Sequence, residues 1–192
     1  MKKLLLTTVA ASIFTAFSAA AADSNFFVKA SAGLSKLNKT GKIKSDNALF
    51  LGAGVGYNVM DNVRADLTFD HFINPSFKEQ GGKTKAEINT FLLNGYIDLF
   101  DISITKMFVG AGAGIARVST KGTITGNNGT SVNIKSKPGN NFSYAAYIGA
   151  STEFAPSFHG EIVYSWRNFA VQKDDDTKLK GHHVAVGIRF DI

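Results

Sequence analysis

The residues Gly181–Ile192 read GHHVAVGIRFDI. His182, Val184, Val186, Ile188, Phe190 and Ile192 fall on one parity; His183, Ala185, Gly187, Arg189 and Asp191 fall on the other. A period of two is the repeat of a β-strand. An almost unbroken apolar row beside one that carries Arg and Asp is unlike a solvated, frayed tail. Which of the two rows meets water decides the fold.

The same alternation recurs along the chain. Val28, Ala30, Ala32 and Leu34 oppose Lys29, Ser31 and Gly33; Leu49, Leu51, Ala53, Val55, Tyr57 and Val59 oppose Gly52, Gly54, Gly56 and Asn58. Val63, Ala65, Leu67 and Phe69 oppose Arg64, Asp66, Thr68 and Asp70. A less regular segment over 86–99 sets Phe91, Leu93, Ile97 and Leu99 against Thr90, Asn94, Tyr96 and Asp98, with Leu92 on the polar side. Further segments cover 107–118, 142–154 and 158–171, where Ile162, Tyr164 and Trp166 oppose His159, Glu161, Ser165 and Arg167. With the closing strand this predicts about eight strands. Their connections alternate: short around Asp61, Asp101 and Pro156, and long and polar over 38–46, 74–85, 117–141 and 172–180. An even strand count with short turns at one end and long loops at the other is the pattern of a transmembrane β-barrel.

A soluble sandwich or barrel puts its apolar row inside. A membrane barrel inverts this, because hydrocarbon satisfies neither charge nor free backbone groups. Three features favour the inversion. First, the polar row holds Gly52, Gly54 and Gly56, and again Gly110, Gly112 and Gly114. Such glycines make room for long side chains inside a narrow barrel; they lack the spacing and following helix of a nucleotide-binding loop. Second, Phe26, Phe27, Tyr57, Phe69, Phe72, Phe91, Phe108, Phe142, Tyr144, Phe154, Tyr164, Trp166 and Phe190 lie mostly near turns or loop bases. They are expected to form interfacial girdles rather than an ordinary core. Third, Lys29, Arg64, Arg167 and Arg189 share the polar face with Asp66, Asp70, Glu153 and Glu161. An enclosed lumen must pair these charges. Eight strands leave an interior just wide enough for side chains, so the expectation is a plugged scaffold, not a porin.

The start of the chain reads differently. Met1, Lys2 and Lys3 precede an uncharged stretch, Leu4 to Ala22, that ends in four alanines. This predicts a secretory signal peptide over 1–22 and a mature barrel domain over 23–192. The chain has no Cys, so disulfides, thiol chemistry and thiolate metal sites are excluded.

These features resemble the eight-stranded OmpA-like and opacity-type outer-membrane barrels. The hairpins GYNVMDNVRADLTFDHF and YIGASTEFAPSFHGEIVYSW carry the likeness over the whole mature chain. The closing GIRFDI is similar to the C-terminal assembly signal of that class, with Ile192 in place of the usual Phe. The small size and Lys-rich loops are similar to short rickettsial surface adhesins. The resemblance implies a Gram-negative outer-membrane location and attachment to a host-cell or serum glycoprotein, vitronectin among the candidates. The expected ligand-binding residues are Lys39, Lys42, Lys44, Lys78, Lys83, Lys85, Lys121, Lys135 and Lys137. Basic loops gathered at one end attract polyanions over about one Debye length, roughly 8–10 Å. The competing reading is a structural barrel whose lysines meet lipopolysaccharide phosphates.

A lipid-modifying enzyme is the rival class. It needs Ser, His and a carboxylate together at one rim. By parity His182 points to lipid while Ser165 and Glu161 lie on the opposite face, so no catalytic role is expected. His182 and His183, being adjacent, face opposite ways and cannot share a metal. Asp174–Asp176 lack the spacing of a calcium loop. No cofactor, metal or nucleic-acid partner is expected. Asn38-Lys39-Thr40 and Asn128-Gly129-Thr130 match a glycosylation pattern that means little in a bacterium.

Overall fold

The computed structural model of the protein describes residues 25–39, 46–73, 76–79, 82–125, 131–135, 139–169 and 179–192. The expected signal peptide lies outside them. Strands form where the alternation is strongest: β1 (Phe26–Lys39), β2 (Asp46–Met60), β3 (Val63–Ile73), β4 (Ser76–Glu79), β5 (Gly82–Ile102), β6 (Thr105–Thr125), β7 (Ser131–Lys135), β8 (Gly139–Ala155), β9 (Phe158–Phe169) and β10 (Leu179–Asp191). Eight of them, β1, β2, β3, β5, β6, β8, β9 and β10, pair antiparallel with their neighbours in chain order. β10 then pairs back onto β1, from Phe27↔Asp191 to Lys39↔Leu179. The result is a closed eight-stranded antiparallel barrel. Closure removes the two free edges whose N–H and C=O groups hydrocarbon could not satisfy.

The short turns fall at Asp61–Asn62, Ser103–Ile104 and Pro156–Ser157. Each hairpin shifts register just before its turn, at Asn58/Met60, Asp98/Phe100 and Glu153/Ala155. Such bulges increase the local twist, which helps the sheet to curl shut. Both described ends of the chain, near Phe26 and Asp191, lie at this turn end. At the far end the structure departs from the expected loops. β5 and β6 each run for 21 residues, where about 9–11 suffice to cross a bilayer. The segments expected as loops over 74–85 and 117–141 contain the outer parts of this hairpin, with β4 added along β5 and β7 along β6. Beyond the lipid both faces meet water, so a strand there needs no apolar alternation.

The apolar row faces outward, as the inverted reading requires. Leu34, Leu93 and Ile162 are 64%, 64% and 61% exposed, whereas Arg64, Asp66 and Asp70 are 5%, 3% and 3% exposed. A water-soluble sandwich would show the reverse.

The inward glycines serve the close packing. A Cβ on Gly114 would strike the carbonyl oxygen of Phe91 and come within 3.0 Å of the Leu92 Cα. One on Gly52 would strike the Asp70 carboxylate and lie 2.6 Å from Ser31 Oγ. Gly95 faces out, and a Cβ there meets nothing within 4 Å. Gly114→Val is therefore expected to destabilise the barrel by about 1–3 kcal/mol, the usual penalty of overpacking. Gly95→Ala should change stability by no more than about 0.5 kcal/mol. Urea unfolding of both variants in lipid vesicles, followed by the loss of the heat-shiftable gel band, checks the pair.

Candidate functional site

Two features are candidates for function: the lumen, where charge collects, and the far end, where the long hairpins stand. In the lumen near the turns, Arg64 Nη1 donates to Asp98 Oδ1 at 3.0 Å, and Arg64 Nη2 lies 3.6 Å from Glu161 Oε1. Arg189 bridges the same Glu161 oxygen at 3.5 Å and Asp191 Oδ1 at 2.9 Å. In the middle, Lys29 pairs with Asp66 and donates to Tyr96 Oη at 3.3 Å. Asn94 Nδ2 donates to Asp66 Oδ1 at 2.6 Å, and Tyr147 Oη donates to Asn94 Oδ1 at 2.8 Å. Above these, Arg167 Nη1 meets Asp70 Oδ2 at 2.5 Å.

Aromatic rings complete each arginine. The Arg64 guanidinium lies 4.4 Å from the Phe108 ring centroid, Arg189 lies 5.4 Å from Phe27, and Arg167 lies 5.3 Å from Phe50. A guanidinium stripped of water gains from such a face as well as from its carboxylate. Toward the far end the lumen turns apolar. Phe50, Phe72, Phe169, Leu37 and Ile88 are buried together, and His183 sits edge-on among the three phenylalanines. Neither ring nitrogen of His183 has a hydrogen-bond partner. A space of about 50 Å³ is left among the charged layers, room for a few waters.

The expected interior charges Lys29, Arg64, Asp66, Asp70, Glu161, Arg167 and Arg189 are thus brought together. Glu153 is not: it is exposed beside the bulge that precedes the Pro156 turn. Asp98 and Asp191 join them as partners that the expected set does not include. Phe27, Phe72 and Phe108, expected in the girdles, are all buried in the lumen. Parity held the signal: Phe72 shares the face of Asp70, and Phe108 shares that of Gly110. The remaining expected girdle residues face outward, with Phe26–Tyr57 and Phe154–Phe158 toward the turns and Phe69–Phe91 and Phe142–Tyr144 toward the far end.

Of the expected ligand-binding lysines, Lys42, Lys44 and Lys137 lie outside the described residues. The backbones of Lys39, Lys78, Lys83, Lys85, Lys121 and Lys135 belong to strands. Register puts Lys78 opposite Lys83. It also puts Lys85 opposite Lys121 and Lys121 opposite Lys135. The triad considered for an enzyme is not assembled. His182 faces outward and bonds Tyr164 Oη at 2.6 Å, while Ser165 and Glu161 are buried in the lumen. Among the described residues no group of three or more His, Asp or Glu is placed to hold a metal.

Residues 6–190 match the family model described as the outer membrane protein beta-barrel domain. The chain belongs to this family. As an outer-membrane β-barrel it is 34% identical, over an alignment of 226 positions covering 100% of both chains, to "Putative adhesin RP828" of Rickettsia prowazekii. Its fold is similar to that of Neisserial surface protein A, with a TM-score of 0.65 at 17% identity, covering 88% of this chain and 98% of the other. It is also similar to Ail, the attachment invasion locus protein of Yersinia pestis, solved in complex with the heparin analogue sucrose octasulfate. There the TM-score is 0.50 at 16% identity, covering 86% of this chain and 99% of that one. The protein is located in the bacterial outer membrane.

The Asp70–Arg167 pair gives a direct test of the sealed lumen. Removing one partner strands a buried charge, so Asp70→Leu or Arg167→Met alone should cost about 3–5 kcal/mol. The double variant should be more stable than either single one, giving a clear coupling energy in a double-mutant cycle measured by urea unfolding in vesicles. Planar-bilayer recordings of the folded protein should show no stepped conductance.

Proposed function

We propose that the protein is a surface adhesin whose long-hairpin end faces outward and binds an anionic host ligand, a sulfated glycan or an acidic glycoprotein. The observation that carries this reading is the register of the far-end strands. It sets Lys85, Lys121 and Lys135 at one level across β5, β6 and β7, with Lys78 and Lys83 opposite each other nearby. Like charges placed directly opposite across strands repel. A ladder that accumulates them is at its best when a polyanion lies across it. Lys39 ends β1 at the same end of the barrel, and Lys42, Lys44 and Lys137 complete the proposed set. A field of this kind speeds encounter and selects partners by charge more than it adds affinity.

Two likenesses support the reading. The full-length relative in R. prowazekii carries an adhesin name, and Ail, of the same fold, was solved with a heparin analogue bound. Vitronectin is a candidate glycoprotein ligand on the strength of the resemblance to rickettsial adhesins. The sealed lumen suits this role, since the barrel then serves to hold the hairpins upright.

Exchanging Lys39, Lys42, Lys44, Lys78, Lys83, Lys85, Lys121, Lys135 and Lys137 for Gln is expected to reduce retention on immobilised heparin and attachment to host cells by about tenfold or more. Wild-type attachment should itself weaken as salt rises from about 0.15 M to 1 M, where the Debye length shrinks from about 8 Å to 3 Å. Unchanged attachment by the Gln variant would contradict the reading.

A further inference from the structure

On the outside of the barrel, away from the hairpin lysines, one sector of the far rim combines cations and aromatic rings. β1, β10 and β9 place Lys36, His182 and Trp166 at one level. The next level outward holds Lys180 and Asn168, with Tyr144 of β8 beside them. All share the parity of the lipid-facing row. Leu34, Val184 and Tyr164, one step toward the turns, are exposed on the same face. This patch is therefore the upper margin of the apolar band, where headgroups begin.

The side chains there are organised. Tyr164 Oη and His182 Nδ1 are 2.6 Å apart, which fixes the imidazole. The Lys180 ammonium lies 5.9 Å from the Trp166 ring centroid. Trp166 in turn packs at 5.7 Å against Tyr144, whose hydroxyl accepts from Asn168 Nδ2 at 2.7 Å. Asn168 is only 6% exposed, yet its Oδ1 has no hydrogen-bond partner. Lys36 and Lys180 are diagonal neighbours across the β1–β10 pair, roughly 7–8 Å apart at the backbone, so one phosphate lies within reach of both ammonium groups. No acidic side chain lies on the far half of β1, β8, β9 or β10 among the described residues, Glu161, Glu153 and Asp191 all being toward the turns. Among the described residues of these four strands, no carboxylate offsets the positive charge of this sector.

We infer that the Lys36–Lys180–His182 sector, with Trp166, Tyr144 and Asn168, is a binding site for a phosphorylated glycolipid of the outer leaflet. Its phosphate meets the two ammonium groups. Its sugar ring lies on the Trp166 and Tyr144 faces, Tyr144 being held in place by Asn168. Its acyl chains run down over Leu34, Val184 and Val186. The two kinds of contact explain each other. The lysines alone would accept any anion, but their place at the edge of the apolar band selects one that carries chains. The site is independent of the hairpin lysines and of the adhesin reading.

The chain contains one Trp, Trp166, so its fluorescence reports this site in the unaltered protein. Bisphosphorylated lipid A titrated into the folded barrel in detergent micelles should shift the emission of Trp166. Dephosphorylated lipid A and phosphatidylglycerol should need about tenfold more lipid for the same shift. Lys36→Gln with Lys180→Gln should abolish the preference for the phosphorylated form, while the heat-dependent gel shift and heparin retention stay as in the wild type. A wild-type emission that ignores lipid A, or one that answers phosphatidylglycerol equally well, would overturn the inference. So would a double variant that keeps the preference. Loss of heparin retention on exchanging the hairpin lysines leaves these outcomes unaffected, so the two readings fail separately.

Discussion

Hydrocarbon offers no hydrogen bond and no counter-charge, and the rest of this structure depends on that constraint. It forces the sheet to close, because an open strand would leave a column of backbone groups unsatisfied. It forces the apolar row outward and every ionised group in the membrane inward. Once inside, a charge is also cut off from bulk water, so it must find a partner at once. The pairing of Lys29 with Asp66, of Arg167 with Asp70, and of Arg64 and Arg189 with Glu161 follows from the closure as much as from local geometry.

The lumen answers this demand in layers. Arginines sit between a carboxylate and an aromatic ring, and Asn94 and Tyr147 extend the middle layer from Asp66 by hydrogen bonds. Toward the far end the charges stop and the phenylalanines around His183 close the interior with apolar packing. Among the described residues the packed lumen does not bring His182 together with Ser165 and Glu161. What remains available is the outside: the hairpins that rise beyond the membrane and the rim where lipid headgroups meet the wall. Both proposed binding functions occupy those surfaces.

Much of the fold was legible because membrane strands carry the strongest two-residue repeat a sequence can show. GHHVAVGIRFDI assigned its faces correctly residue by residue, and Leu92, which broke the pattern of its segment, is indeed turned inward. Most of the interior charges followed from the same parity. The misses have physical causes. Glu153 keeps the lumen parity, opposite His159, but it lies at the turn-end mouth of the barrel, where it is exposed. Phe27, Phe72 and Phe108 were grouped by their closeness to turns, although their parity put them with the arginines that need their rings. The outer halves of β5 and β6 were hidden because a strand with water on both sides has no reason to alternate. Register between distant strands, which brings Lys85, Lys121 and Lys135 to one level and Lys36 beside His182, is not contained in any single segment.

The inverted wall can be tested directly, and the absence of native cysteine makes the measurement clean. Single cysteines placed in turn at positions 183 to 188 of β10 carry a fluorophore in the folded barrel, reconstituted in vesicles whose acyl chains bear a nitroxide quencher. The account predicts strong quenching at 184, 186 and 188 and little at 183, 185 and 187. Quenching of the opposite set, or equal quenching of all six, would contradict it.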